Sequence, residues 1–203
     1  MNEVQHDPII PQLSPAQLRK LSKFLSLLLR HHPEKFPLKL DEAGYADLAE
    51  IMRILRGLPN FRWATRSNVD AVLALPGRQR FEIVAGNGIE RIRALYGHSA
   101  VRPEYEAVTP PNVLFHGTAP DALENIFREG LKPMARQYVH LAVDEETAHG
   151  IASRHTSTPV ILRVDAAAAH AAGIEFYHPT ASIYLVEILP PAYLFDDSKI
   201  KRE

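Results

Sequence analysis

The sequence predicts an α+β protein made of two lobes. Helical patterns prevail up to about residue 75, a hairpin pattern follows, and after residue 111 short strand patterns alternate with helices. The formal charge divides in the same way: residues 1–100 hold 14 Lys and Arg against 10 Asp and Glu (+4), and residues 101–203 hold 9 against 14 (−5). We therefore expect a first lobe at 1–100, a proline-containing linker at 101–111 and a second lobe at 112–203.

The first element of the chain is predicted to be an amphipathic helix. Ser14 suits the N-cap position, and Gln17 can complete a capping box with it. Leucines then recur at helical spacing through residues 18–28, which places Arg30 on the opposite, polar side. Pro33 ends the helix, because the residue before a proline is biased away from the helical region.

Two more helices and a hairpin are predicted in the rest of the first lobe. Helical patterns cover residues 45–56 and 65–75, and strand patterns at 80–84 and 89–94 flank the turn sequence AGNG at 85–88. Three helices followed by a hairpin match a winged-helix arrangement, which is often used on nucleic acids. The fold alone does not establish that use.

The second lobe is predicted to mix short strands with short helices. Strand patterns occur at 112–116, 138–142, 160–164, 175–177 and 183–189, and helical patterns at 119–128, 145–154 and 165–172. We expect Thr118 to cap the first of these helices and Asp144 to cap the second.

The composition removes several classes of function. Cysteine is absent, so a disulfide framework, a thiol nucleophile and a thiolate metal site are excluded. Neither GxGxxG after a strand nor GxxxxGK[ST] occurs, and no HExxH or paired Cys/His spacing suggests a metal. The first 12 residues are polar and broken by prolines, and no run approaches the roughly 20 apolar residues of a membrane span. A cytoplasmic, monomeric protein without a metal or a membrane partner is expected.

Four basic residues in separate segments are candidates for one anion site: Arg30, His31, Arg80 and Arg136. A guanidinium presents a planar fork of donors that matches the oxygens of a phosphate. If the four side chains converge, they would hold a phosphate dianion, and the histidine would be the titratable member of the group.

The segment Phe115-His116-Gly117-Thr118 is a candidate for ligand contact. A histidine at a strand end, a glycine that permits close backbone approach and a threonine at a helix N-cap would form a polar rim suited to a carboxamide or a ribose. The segment alone leaves a second interpretation open, in which Thr118 only caps its helix and His116 is an ordinary core histidine.

These segments and several others occur in the order found in one family. The chain resembles the RNA 2′-phosphotransferases over residues 18–194. The matching segments are LSKFLS at 21–26 continuing to LRHHP at 29–33, RFEI at 80–83, IRA at 92–94 with GHS at 97–99, LFHGT at 114–118, GL at 130–131 with MAR at 134–136, VHL at 139–141 and PPAYL at 190–194.

The resemblance implies a winged-helix RNA lobe followed by an ADP-ribosyltransferase lobe that holds NAD, with RNA carrying an internal 2′-phosphate as the substrate. It assigns catalysis to Arg30, His31, Arg80 and Arg136. It assigns NAD contacts to His116, Gly117, Thr118, Asn125, Gly130 and His140, and it places Ile183 where many ADP-ribosyltransferases have a glutamate. His98 and Ser99 would line the RNA-phosphate pocket or, alternatively, cap a loop.

The family's reaction has two steps. The RNA 2′-phosphate first attacks C1″ of the nicotinamide ribose and expels nicotinamide. The ribose 2″-hydroxyl then attacks the same phosphorus, which releases RNA with a 2′-hydroxyl and ADP-ribose 1″,2″-cyclic phosphate. Arginines cannot act as acids near neutral pH, so they would bind phosphate oxygens, whereas His31 would be a general acid or a hydrogen-bond donor.

Two alternatives to a 2′-phosphotransferase stay open at the level of sequence. One is an ADP-ribosyltransferase that modifies another target, such as a terminal phosphate of nucleic acid, and would not need all four basic residues. The other is a non-catalytic RNA-binding protein, for which the NAD segments would have no purpose.

Overall fold

The computed structural model describes residues 13–75 and 79–197, so the polar N-terminal segment lies outside the described residues. The helices within these ranges are α1 (Pro15–Ser26), α2 (Leu48–Gly57), α3 (Arg66–Leu73), α4 (Leu123–Glu129), α5 (Glu145–Ala152) and α6 (Ala166–Ala171). The strands are β1 (Tyr45–Asp47), β2 (Phe81–Gly86), β3 (Ile89–Ala94), β4 (Ala107–Val108), β5 (Val113–Thr118), β6 (Val139–Ala142), β7 (Val160–Asp165), β8 (Phe176–Thr180), β9 (Ile183–Val186) and β10 (Leu194–Phe195). Among the described helices, none has the length and apolar character needed to cross a membrane.

The first sheet is antiparallel, with strand order β1-β3-β2, and shares one core with α1, α2 and α3. The β2–β3 hairpin turns through Asn87 and Gly88, whose φ values of 51° and 76° suit a tight two-residue turn. Leu25, Ile51 and Phe81 are buried in the core beneath it. Three helices followed by a hairpin are thus present as predicted. Their assignment to the winged-helix class stays a prediction.

The second sheet is antiparallel and has seven strands in the order β10-β7-β5-β6-β9-β8-β4. Leu114, Leu141 and Phe176 are buried in its core. The edge strand β4 lies inside the stretch predicted as a linker, because Ala107 and Val108 pair with β8. The mixed α and β composition of the chain is confirmed.

The prediction of a helix over residues 45–56 is wrong at its start. Tyr45–Asp47 is a strand whose first residue pairs with Arg93 of β3. The Asp47 carboxylate accepts a hydrogen bond from the Ala49 N–H at 2.7 Å, so the helix begins only at Leu48. A side chain that caps a helix also marks its boundary, and the helical spacing of the apolar residues conceals it.

Arg30 lies on the same side of the first helix as Arg19, Lys23 and Ser26, as predicted, although it is partly buried there. The capping box between Ser14 and Gln17 is confirmed, but α1 continues into a π-helical turn at Leu27–His31. The His32 N–H donates to the Leu27 carbonyl at 2.8 Å, five residues back. Arg30 is in this wider turn and is partly buried.

Thr118 is not the helix cap that the sequence predicts. It is the last residue of β5 and pairs with Val160, while α4 begins only at Leu123. A short 3₁₀ turn starting at Pro120 separates the two elements. Pro120 biases the residue before it away from the helical region, and Ala119 is extended (φ −88°, ψ 150°), so no helix begins at residue 119.

Candidate functional site

Two neighbouring cavities contain most of the predicted site residues. The strand cavity, of about 440 Å³, is bounded by β5, β6, α5 and the loop at 132–138, and its lining includes Phe115, His116, Gly117, Arg136, Val139, His140 and Ile151. The basic cavity, of about 630 Å³, is lined by Arg19, Lys23, Ser26, Leu27, Arg30, His31, Arg80 and Arg154. Neither lining includes an Asp or Glu among the described residues.

Arg30 lies between two aromatic rings at the end of the π-helical turn. Its guanidinium carbon is 4.9 Å from the ring centre of Tyr96 and 5.5 Å from that of Phe81, and its Nη2 donates to the carbonyl of Arg80 at 3.3 Å. The pKa of Arg30 is lowered to about 10, first by loss of hydration and further by Arg80 and Arg136, while Tyr96 opposes the shift. Its buried Nε has no partner among the described residues.

Arg80 and Arg136 bring two more positive charges to the same place. Arg80 donates from Nη1 to the Ser22 hydroxyl at 2.7 Å, which fixes its side chain against α1. The pKa of Arg136 is lowered, mainly by reduced hydration, although its side chain stays exposed to the cavity. No described carboxylate forms an ion pair with Arg30, Arg80 or Arg136. Three converging cations without a counter-charge form a site for an anion.

Ser99 holds the fourth predicted basic residue in place. Its hydroxyl lies 3.0 Å from His31 Nδ1, and its backbone N–H donates to the Arg30 carbonyl at 2.9 Å. Ser99 therefore caps the π-helical turn and orients the imidazole at the same time. Loss of hydration lowers the pKa of His31, and the charges of Arg30 and Arg136 lower it further.

His98 lies beneath this group and lines neither cavity. It is 2% exposed, both ring nitrogens lack a partner among the described residues, and an added Cβ at Gly44 would be 3.1 Å from its Nε2. Burial, with smaller effects of Arg30 and Arg93, lowers its pKa to about 4. His98 is thus a neutral part of the wall that supports the arginines.

The buried state of His98 predicts a loss of stability in acid. The unfolded chain takes up a proton near pH 6.5 and the folded chain only near pH 4, so stability decreases as pH falls through this window, by roughly 3 kcal/mol for the full shift. In urea unfolding at pH 7.5 and pH 5, His98→Leu should lose less stability than the wild type. A replacement of the exposed His170 should leave the pH difference unchanged, and an unchanged difference in His98→Leu would contradict the assignment.

Two histidines form the polar wall of the strand cavity. His116 Nδ1 donates to the His140 carbonyl at 3.0 Å, which fixes the orientation of the His116 ring. Burial, reinforced by Arg136 and Arg30, lowers the pKa of His140 to about 3. The His140 ring meets the edge of Tyr96 at a centroid distance of 5.7 Å, and its buried Nε2 has no described partner. This nitrogen is thus an unsatisfied, enclosed polar atom in the wall of the cavity.

Gly117 is required by packing inside the lobe. A Cβ at this position would lie 2.4 Å from the Ala148 carbonyl oxygen and 2.8 Å from the Ala152 Cβ. The absence of a side chain therefore allows α5 to pack directly on β5 and to close one side of the strand cavity.

The other residues assigned to the NAD site lie outside the lining of the strand cavity. Thr118 is in the β5–β7 ladder, and Asn125 is exposed and accepts a hydrogen bond from Arg128. Gly130 ends α4 with a φ of 82°, and an added Cβ there would be 2.3 Å from the Leu189 carbonyl oxygen. Ile183 is 1% exposed and pairs with Ala142 of β6. The strand position at which many ADP-ribosyltransferases have a glutamate is therefore occupied here by a buried, apolar side chain.

Sequence reasoning missed two residues of the site. Tyr96 contacts Arg30 with its ring face and also packs against the His140 ring, and so lies between these two residues. Arg154 lies on the basic cavity and lowers the pKa of Arg136. Tyr96 precedes the GHS segment directly, which was a usable signal. Arg154 follows an ordinary amphipathic helix, and no sequence signal near it indicates a place in the site.

The strand cavity has both apolar and polar groups in its lining. No group of three or more His, Asp or Glu that could hold a metal ion is found among the residues that the structure describes. Phe115, Val139 and Ile151 provide apolar surface, and His140 and Arg136 provide polar contacts on the side of the basic cavity. The cavity wall is thus apolar over part of its surface and cationic where Arg136 lies.

Comparison with known proteins gives a consistent result. The profile of the family described as "RNA 2′-phosphotransferase, Tpt1 / KptA family" matches residues 16–188. A protein of Lacticaseibacillus paracasei named "Probable RNA 2′-phosphotransferase" is 40% identical over 179 residues, which are 88% of this chain and 93% of the relative. Proteins of the same name from Hahella chejuensis and Agrobacterium fabrum are 41% and 42% identical, over 88% and 85% of this chain and 94% and 91% of their own lengths.

Proposed function

The chain belongs to the RNA 2′-phosphotransferase (Tpt1 / KptA) family and is an enzyme that removes a 2′-phosphate from RNA, and we propose that it transfers this phosphate to NAD in two steps. The observation that carries the proposal is the convergence of Arg30, Arg80 and Arg136 with His31. This group adjoins the strand cavity through Arg136.

The anion site fits the phosphate of the RNA, and the strand cavity fits NAD. Arg30, Arg80 and His31 come from the first lobe, and Arg136 comes from the second. A phosphate between them would lie against the part of the strand cavity next to His140. NAD bound there, with its nicotinamide ribose toward Arg136, would present C1″ to that phosphate.

In the proposed first step, a 2′-phosphate oxygen forms a bond to C1″ as the C1″–nitrogen bond to nicotinamide breaks. The nucleophile already carries negative charge, so a general base is unnecessary. A carboxylate facing the 2′-phosphate would repel this nucleophile. The strand position at which many ADP-ribosyltransferases have a glutamate holds the buried, apolar Ile183. The arginines hold the phosphate in line for attack.

In the proposed second step, the ribose 2″-oxygen forms a bond to phosphorus as the bond from phosphorus to the RNA 2′-oxygen breaks. A proton leaves the 2″-hydroxyl and one reaches the departing 2′-oxygen. Charge develops on the phosphorus oxygens, where Arg30 and Arg136 are placed to stabilise it. His31, positioned by Ser99, would donate the proton or a hydrogen bond.

The anion site predicts stabilisation by phosphate esters. Adenosine 2′-monophosphate at about 100 times its Kd should stabilise the folded protein by about 2.7 kcal/mol, which corresponds to a rise in Tm of roughly 5–10 °C. Adenosine without the phosphate should give a small rise at most. Thermal unfolding of Arg80→Ala with and without adenosine 2′-monophosphate tests whether the ester binds at the anion site. This variant should lose most of the increase in Tm. An equal rise in the variant would show that the ester binds elsewhere.

The activity itself is tested by following NAD with three substrates: an oligonucleotide with an internal 2′-phosphate, the same oligonucleotide without it, and one with a terminal phosphate. We expect NAD loss and 2′-dephosphorylation only with the first. A lasting ADP-ribose adduct on the terminal phosphate would favour an ADP-ribosyltransferase of another target. No NAD loss with any substrate would favour a non-catalytic RNA-binding protein.

A further inference from the structure

The basic surface continues beyond the four predicted residues along one side of α1. Arg19 and Lys23 are one helical turn apart and line the same cavity as Arg30, and both are exposed. Arg154, from the second lobe, lines this cavity as well. None of the three forms a described ion pair with a carboxylate.

Surface cations of this chain are otherwise often paired with acids. On α3, Arg66 contacts both Asp70 and Glu90, and in the second lobe Arg102 contacts Glu187. The stripe of Arg19 and Lys23 differs because it leads directly to a site for a phosphate and has no described acidic partner. An unneutralised row of cations is the arrangement that a polyanion backbone binds.

We propose that the RNA strand next to the 2′-phosphate lies along α1, with Arg19, Lys23 and Arg154 binding its backbone phosphates. The inference rests on the proposed function and extends it to the substrate outside the reacting nucleotide. Both lobes then hold the strand, Arg19 and Lys23 from one side and Arg154 from the other. The contacts involve phosphates only, so they select for length of flanking RNA and not for its sequence.

The length of the stripe sets the length of the bound strand. Arg19 and Arg30 are eleven positions apart, which is about 16 Å along a helix. A stacked single strand advances about 3.4 Å per phosphate, so roughly five nucleotides cover this distance. Affinity should therefore increase as one flank of the 2′-phosphorylated nucleotide grows to about five nucleotides, and it should not increase beyond that.

The test measures fluorescence anisotropy of labelled 2′-phosphorylated RNAs whose flanks range from one to eight nucleotides. The variants are the double replacement of Arg19 and Lys23 by Ala, and Arg154→Ala. Lys20→Ala is the matched control, because Lys20 is on the same helix but lies over the Phe61 ring at 5.2 Å. Each lost phosphate contact should reduce the slope of log affinity on log salt by about 0.7.

The double variant should bind the longer RNAs roughly tenfold more weakly, lose the dependence on flank length, and show a salt slope smaller by about 1.4. Arg154→Ala should lose about 0.7 of the slope, and Lys20→Ala should behave like the wild type. Unchanged length dependence and salt slope in the double variant would overturn the inference. So would a raised KM for NAD with unchanged RNA affinity, which would place these cations at the dinucleotide. Binding is measured without turnover, so a failure of the proposed reaction would be seen separately in the NAD assay.

Discussion

Arg30→Ala is expected to slow the second step about 100- to 1,000-fold, so that RNA carrying ADP-ribose on its 2′-phosphate accumulates. In this variant Arg80 and Arg136 would still hold the phosphate for the first step. That step creates positive charge on the ribose, which an additional cation does not stabilise. The second step develops negative charge on the phosphorus oxygens in a partly buried site, where each guanidinium contributes most. The same accumulation is expected for His31→Ala and Arg136→Ala. Gel analysis of the RNA products at successive times measures it.

The matched control is Arg53→Ala, because Arg53 is an exposed arginine on α2 and lies outside the lining of both cavities. This variant should convert the RNA at the wild-type rate. Thermal unfolding of each variant establishes that it is folded. Complete loss of NAD cleavage in all three site variants, with folding intact, would contradict the proposed division between the two steps.

Gly117→Ala is expected to destabilise the protein by about 1–3 kcal/mol. The added Cβ would meet the Ala148 carbonyl oxygen at 2.4 Å, and a backbone atom in the middle of α5 cannot rotate away. The helix must therefore move from β5, which also widens the strand cavity. Urea unfolding should show the lower stability, and the KM for NAD should increase.

Gly57→Ala provides the control for this substitution. It makes the same chemical change at the end of α2, where an added Cβ has no described atom within 4 Å. Its stability should equal or slightly exceed that of the wild type, since alanine has the better helix propensity. If Gly117→Ala unfolded at the same urea concentration as the wild type, close packing of α5 on β5 would be the wrong reason for this glycine.

Features set by a few neighbouring residues could be predicted from the sequence. The capping box of Ser14 and Gln17, the hairpin turn at Asn87 and Gly88, and the cap that Asp144 provides for α5 all depend on groups within four positions of one another. Each follows from a local hydrogen bond or a local backbone preference.

Features set by contacts between distant segments could not be predicted in this way. The π-helical turn that contains Arg30 is held by Ser99, which is 69 positions away. Strand β1 forms because Tyr45 pairs with Arg93 of β3, which is far away in the sequence. Helical periodicity contains no information about either contact, so it predicted neither the π-helical turn nor the strand at Tyr45.

The site was predicted in part, and for a similar reason. Segment resemblance named the four basic residues, and the structure brings them together at the meeting of two cavities. The same resemblance could not show that Gly117 and Gly130 each lie against backbone inside the lobe, nor that Tyr96 separates Arg30 from His140. Those roles depend on packing, which a short segment of sequence does not reveal.

The destination of the phosphorus atom tests the central proposal most directly. An RNA oligonucleotide with a ³²P-labelled internal 2′-phosphate is incubated with the wild-type protein and NAD, and the products are separated. The proposed mechanism predicts that the label leaves the RNA and appears in ADP-ribose 1″,2″-cyclic phosphate, with one nicotinamide released per phosphate removed. Label released as inorganic phosphate, or removed at the same rate without NAD, would contradict it.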